Sequence, residues 1–257
     1  MEKKMSQTEL SELLWSEAKR INNREFIDSD PVQFPRRFND VADIEITSLL
    51  VSTISWGNRK MICNNANRLL EMMDNSPAQW MHDGEYEKID GRRNIHRTFF
   101  GANLQYYMRG LKLLYSRHET LDAFAAAKKI GDSEYPAYKL AEELNKVLME
   151  ANDGRQDARC LPQNLVTTPL KRLNMALRWL VRDDGIVDMG IWHSIRQSQL
   201  LIPLDVHAAD TSRELGLITR RSTDRKALME LMQNIRPYCP EDPALFDYAL
   251  FGIGMGL

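Results

Sequence analysis

The stretch Ile202-Pro203-Leu204-Asp205-Val206-His207, followed by a short helical run that closes at Leu215-Gly216-Leu217, sets a carboxylate at a helix mouth. Proline biases its neighbourhood toward extended backbone, Asp205 is a good N-cap, and Gly216 suits the left-handed position past a helix end. An aspartate so placed accepts backbone N–H bonds and faces the positive helix end. Both favour its charged form and suit it to stabilising a cation nearby. Capping alone also accounts for Asp205, because aspartate caps are common.

Outward from this stretch, helical periodicity is nearly continuous. Leu10, Leu13, Leu14, Ala18 and Ile21 form one apolar stripe, Ile46, Leu49, Leu50 and Ile54 a second, and Ile62, Ala66, Leu69, Leu70 and Met73 a third. The same spacing marks helices at Leu104–Tyr115, Leu140–Leu148 and Leu228–Ile235. No period-two run flanked by hairpin turns stands out, so the expected fold class is all-α. Loops are expected at DSDPVQFPRRFND, SWGNRK, DGRRNIHRTFFG, GDSEYP and NDGRQDARCLPQNLVTTP, where Gly, Pro, Asp and Asn gather. Trp192 and Phe246, among apolar neighbours, read as core.

Composition narrows the function classes. A chain of 257 residues with 43% hydrophobic content can bury a sizeable core. A mean hydropathy of -0.44 and the lack of a span-length apolar run exclude a transmembrane protein. The N-terminus lacks the apolar core of a signal peptide, so a cytoplasmic location is expected. Cys63, Cys160 and Cys239 are widely separated with no Cys-x-x-Cys pair, which argues against a disulfide framework and against zinc. The net charge of -2 counts against nonspecific coating of nucleic acid, since phosphate affinity comes from local Lys and Arg. Candidate basic groups are Arg36-Arg37, Arg92-Arg93 with His96 and Arg97, Lys171-Arg172 with Arg178 and Arg182, and Arg220-Arg221 with Arg225-Lys226. Each is also readable as a solvated face.

Thr168-Pro169 has the form of an N-cap followed by proline at the first helical position, predicting a helix that runs to about Arg182. Leu170, Leu173, Leu177 and Val181 make its buried stripe, while Lys171, Met175, Arg178 and Arg182 follow a separate, largely basic line. Lys171 then lies in the first turn, where the positive helix end favours a neutral, nucleophilic amine. An ordinary surface lysine fits the same position.

The stretch PLDVHAADTSRELGL resembles the Pro-Val-Asp-x-His segment of the helix-hairpin-helix DNA glycosylase superfamily, whose aspartate is catalytic. Ile46–Met73 is similar to that superfamily's early helix, polar loop and helix, and Arg225–Gly254 to its closing helices. TTPLKRLNMALRW looks like the lysine-bearing helix of the archaeal 8-oxoguanine glycosylase branch. The matches span about half the chain in family order. The resemblance implies one glycosylase-like helical unit over 1–257 with a cleft between two lobes, 45–165 and 1–44 plus 166–257. The stretch 119–163 has no counterpart and reads as an insertion able to shape substrate choice.

The implied activity is excision of a damaged base, an oxidised purine in that branch, from duplex DNA, with AP-lyase activity if Lys171 forms a Schiff base. Carried over, Lys171 is the nucleophile and Asp205 its carboxylate partner; without imine formation, Asp205 would activate water. Trp56, Asn58 and Arg59 sit where the family places gap-filling residues, although a core tryptophan and a turn asparagine fit equally well. His207 either contacts a phosphate or packs, and packing is the simpler reading. The glycine hairpin that normally precedes the lysine is absent, so Thr167, Thr168, Arg172 and the helix-opening amides would have to meet the phosphate. Three scattered cysteines cannot supply the four-cysteine iron–sulfur site of some members, so no iron–sulfur cluster, metal or other cofactor is expected. The expected partner is damaged DNA, with no membrane association and a monomeric chain. The alternative is a non-catalytic nucleic-acid-binding module of the same fold.

Overall fold

In the computed structural model, residues 5–256 are described, and their regular secondary structure is helical apart from one small hairpin. The chain runs α1 (Gln7–Ile21), α2 (Arg24–Ser29), α3 (Val41–Thr53), α4 (Arg59–Met72), α5 (Pro77–Asp83), then the strands β1 (Asn94–His96) and β2 (Phe99–Phe100). It continues with α6 (Gly101–Tyr115), α7 (Leu121–Ala127), α8 (Pro136–Glu150), α9 (Lys171–Val181), α10 (Val206–Glu214), α11 (Arg225–Ile235) and α12 (Phe246–Met255). The all-α expectation therefore holds. No helix among the described residues is long and apolar enough to cross a membrane.

The helix starts follow local chemistry. Ser6 and Glu9 form a capping box on α1, and Asp40, Asn58, Asp205 and Asp224 cap α3, α4, α10 and α11 with side-chain oxygens. The expected apolar stripes are buried. Helix α3 is covered on every side from Ile44 to Thr53 and occupies the centre of the molecule. It packs along α9, while α12 is embraced by α1 and α10.

One buried carboxylate ties the centre together. Glu45 in α3 accepts hydrogen bonds from the Tyr115 hydroxyl (2.7 Å), the Leu121 and Asp122 amides (2.8 and 3.1 Å) and Trp192 Nε1 (2.7 Å). Burial pushes its carboxyl above the ordinary range, and these four donors oppose that rise. Two of them are the opening amides of α7. The stretch 119–163 is thus part of the core: α8 packs on α6, and the Tyr138 hydroxyl donates to Thr168 O at 2.8 Å. Trp192 and Phe246 are core residues, as read from the sequence.

The loop DGRRNIHRTFFG contains more order than its composition suggests. Its β1–β2 hairpin turns at Arg97, whose left-handed backbone (φ 51°) is pinned by a 2.6 Å bond from Asn94 Nδ2 to Arg97 O.

Candidate active site

Three helix ends meet at the site. Asp205 caps α10, accepting from Ala208 N at 3.0 Å, and Gly216 takes the left-handed backbone (φ 71°) past the helix end, both as expected. Lys171 is the first residue of α9. Its Nζ stands 3.8 Å from Asp205 Oδ2 and donates to Ser55 O, just past the C-terminus of α3, at 3.2 Å. The adjacent Arg172 donates to Thr53 O (2.7 Å) and Arg159 O (3.1 Å). Carbonyls at the negative end of α3 thus receive both cations that open α9.

Lys171 and Asp205 open into one cavity of about 860 Å³. Phe26, Trp56, Tyr248 and Phe251 give it aromatic walls, Arg59, Arg172 and Arg178 line it, and Val206 and His207 stand at its edge. Phe26 meets Tyr248 and Phe251 edge to face, with ring centroids 5.3 and 5.6 Å apart, and Arg59 lies over Phe251 at 4.5 Å. Arg59 is also 3.8 Å from Asp30, a buried carboxylate whose protonation burial favours. The volume falls within the range of small-molecule sites.

Of the residues singled out from sequence, Lys171, Asp205, Trp56, Asn58, Arg59, Arg172 and His207 all line this cavity. Thr167 and Thr168 do not. The expected N-cap at Thr168 is two residues early: α9 starts at Lys171 after Leu170, which adopts a left-handed backbone (φ 52°). Bonds from Tyr138 to Thr168 O and from Arg225 N to Thr167 O (2.7 Å) fasten the approach to α9, and Thr168 Oγ1 accepts from Leu170 N instead. Thr168 faces a separate cavity of about 160 Å³ behind α9.

Trp56 forms part of the cavity wall. Its ring packs edge to face on His96 at 4.7 Å and lies 5.3 Å under the Arg172 guanidinium. Asn58 spends its carbonyl capping α4. His207 is exposed, contrary to the packing reading. The stretch 119–163 contributes no residue to the walls.

Arg178 and Arg182 do not form a basic face. Both are buried, and with Asp184, Asp188, Asp242 and Asp247 they make an ion cluster beneath the cavity. Tyr248 donates to Asp188 Oδ2 at 2.9 Å, and the Arg178 guanidinium lies 4.3 Å from its ring. Low local dielectric makes such pairs viable only because each charge has partners.

Asp247 is the site residue that sequence reasoning missed. It lines the cavity on α12, pairs with Arg178, and burial pushes its carboxyl up to about 6, with Arg178 opposing the rise. The available signal was a single acid in the otherwise apolar run Ala244–Phe251. His96, read from the sequence as part of a basic group with Arg92, Arg93 and Arg97, is instead fully buried. Its Nε2 donates to Trp56 O (2.9 Å) and its Nδ1 accepts from Asn65 Nδ2 (2.9 Å), the pattern of a neutral imidazole, and burial lowers its proton affinity. Among the described residues no group of three His, Cys, Asp or Glu side chains is arranged to hold a metal.

The chain belongs to the family described as "Protein of unknown function (DUF2400)", whose family model matches residues 30–256. No curated protein and no solved structure matches the chain.

Proposed function

We propose that this DUF2400 chain is a DNA base-excision glycosylase of the helix-hairpin-helix type, with a cleft between two lobes and the Lys171–Asp205 pair at its reacting centre. The observation that carries the reading is the convergence of that amine and that carboxylate, 3.8 Å apart, on a single aromatic-walled cavity. Breaking a base–sugar bond builds positive charge on the sugar, and an anion fixed beside the ring lowers that barrier electrostatically. Asp205 is held for this role by its cap bond to Ala208 N.

In the bifunctional form of the reaction, Lys171 Nζ gives up a proton and forms a bond to C1′ as the C1′–N bond breaks. The electron pair leaves on the base, which takes up a proton. Opening of the C1′–O4′ bond then leaves an imine between Nζ and C1′, and loss of a C2′ proton expels the 3′ phosphate. If Lys171 does not attack, water activated by Asp205 ends the reaction at base release. Either route requires the nucleotide to leave the stack, and the partly exposed rings of Phe26, Trp56 and Phe251 offer faces and edges to receive it.

Borohydride reduction tests this. Incubation with duplexes carrying an oxidised purine or an abasic site should give a covalent adduct, lost in Lys171→Ala. Base release without an adduct selects the water route. Binding that weakens with salt but leads to no turnover on any damaged duplex would instead identify a non-catalytic module.

A further inference from the structure

We infer that Arg97, at the turn of the β1–β2 hairpin, docks one phosphate of the nucleic-acid strand whose nucleotide occupies the cavity. This rests on the glycosylase reading, and it names a contact that the Lys171–Asp205 pair does not imply. The hairpin is fastened to the cavity wall: His96 donates to Trp56 O, is held by Asn65, and sets its ring against the Trp56 indole. The turn itself is held by the Asn94–Arg97 bond.

From that turn the Arg97 guanidinium reaches back over Gly57, on the cavity rim, where a Cβ would collide with Nη1. Gly57 also carries a φ of 100°, so its lack of a side chain serves both the loop and the approach of the arginine. The other cations of the site are committed: Lys171 to Ser55 O and Asp205, Arg172 to two carbonyls, Arg59 to Asp30, and Arg178 to Asp188 and Asp247. Arg97 is exposed, and no carboxylate among the described residues pairs with it.

A guanidinium presented this way matches the bidentate geometry of a phosphodiester. Such contacts set the register of the strand without reading its sequence, which is what a site that must align one sugar with Lys171 requires.

The experiment measures binding of a short duplex carrying an uncleavable abasic-site analogue across a salt series. Asn tolerates the left-handed backbone, so Arg97→Asn removes the charge while retaining the turn. Loss of one phosphate contact should reduce the slope of log K against log salt by about 0.9. The affinity gap from wild type should therefore narrow about 3.5-fold between roughly 50 and roughly 200 mM salt. Arg97→Lys should restore the slope. Lys129→Asn removes the same charge at another exposed left-handed position (φ 53°) outside the cavity and should leave the slope at its wild-type value. Wild-type binding with an unchanged slope in Arg97→Asn overturns this inference alone. A wild type that binds no duplex overturns both it and the glycosylase reading.

Discussion

Replacing Asp247 with asparagine should change how stability depends on pH, in a direction the structure dictates. In the folded chain burial raises this carboxyl from 3.8 to about 6, with the Arg178 guanidinium only partly compensating. Between those values the native protein holds a proton that the unfolded chain has already released. Stability contributed by this group is therefore complete below about pH 4 and lost as pH rises through about 6. At 1.36 kcal/mol per pH unit the difference amounts to about 3 kcal/mol. The side chain is only 14% exposed, so solvent screens little of this. A carboxamide in its place cannot titrate, and Arg178 keeps Asp188 at 3.3 Å as a partner. Urea unfolding at intervals from about pH 4 to about pH 7 should show the variant gaining most of this, about 2.4 kcal/mol, relative to wild type across the range, whatever constant offset the substitution adds. Parallel curves would refute the buried, proton-retaining carboxylate. A relative loss for the variant would mean that Asp247 is ionised throughout. A carboxylate that costs this much at neutral pH, in the cavity that holds Lys171 and Asp205, is of the kind that clusters at functional sites.

Other substitutions separate folding from chemistry. Asp205→Asn should stay within a few tenths of a kcal/mol of wild-type stability, and Asp205→Ala should lose about 1 kcal/mol, because the amide still caps α10 and alanine does not; both should lose base release in a single-turnover assay. Lys171→Gln should remain folded by circular dichroism and still bind an abasic duplex, but give no adduct on borohydride reduction. His96 is neutral and buried in the fold, so its contribution should diminish as pH falls below about 6.5, where the unfolded imidazole protonates first. Melting curves from about pH 7.5 to about pH 5 should show this relative decline in wild type and not in His96→Gln.

Much of the local structure was legible. Apolar spacing located the long helices, and Asp205 and Gly216 marked the two ends of α10 because caps and left-handed glycine positions are decided within a few residues. The same rules misplaced the start of α9, since Thr168 looks like a cap until Tyr138 and Arg225, from other parts of the chain, claim the backbone around it. The hairpin at 94–100 escaped for a similar reason. It is too short to show a period of two, and it is stabilised by His96 and Trp56 across the site.

By itself, then, the sequence determined the helical class, the apolar faces, and the placing of Lys171 and Asp205 at helix starts, because these depend on short-range propensity and capping. Only the tertiary structure decided that the two side chains share one cavity, that Arg178 and Arg182 lie buried among aspartates, and that Asp247 approaches from α12 with its proton affinity raised. Charge pairing and desolvation depend on which surfaces meet. Residues distant in the chain acquire those properties only when helix packing removes them from water together.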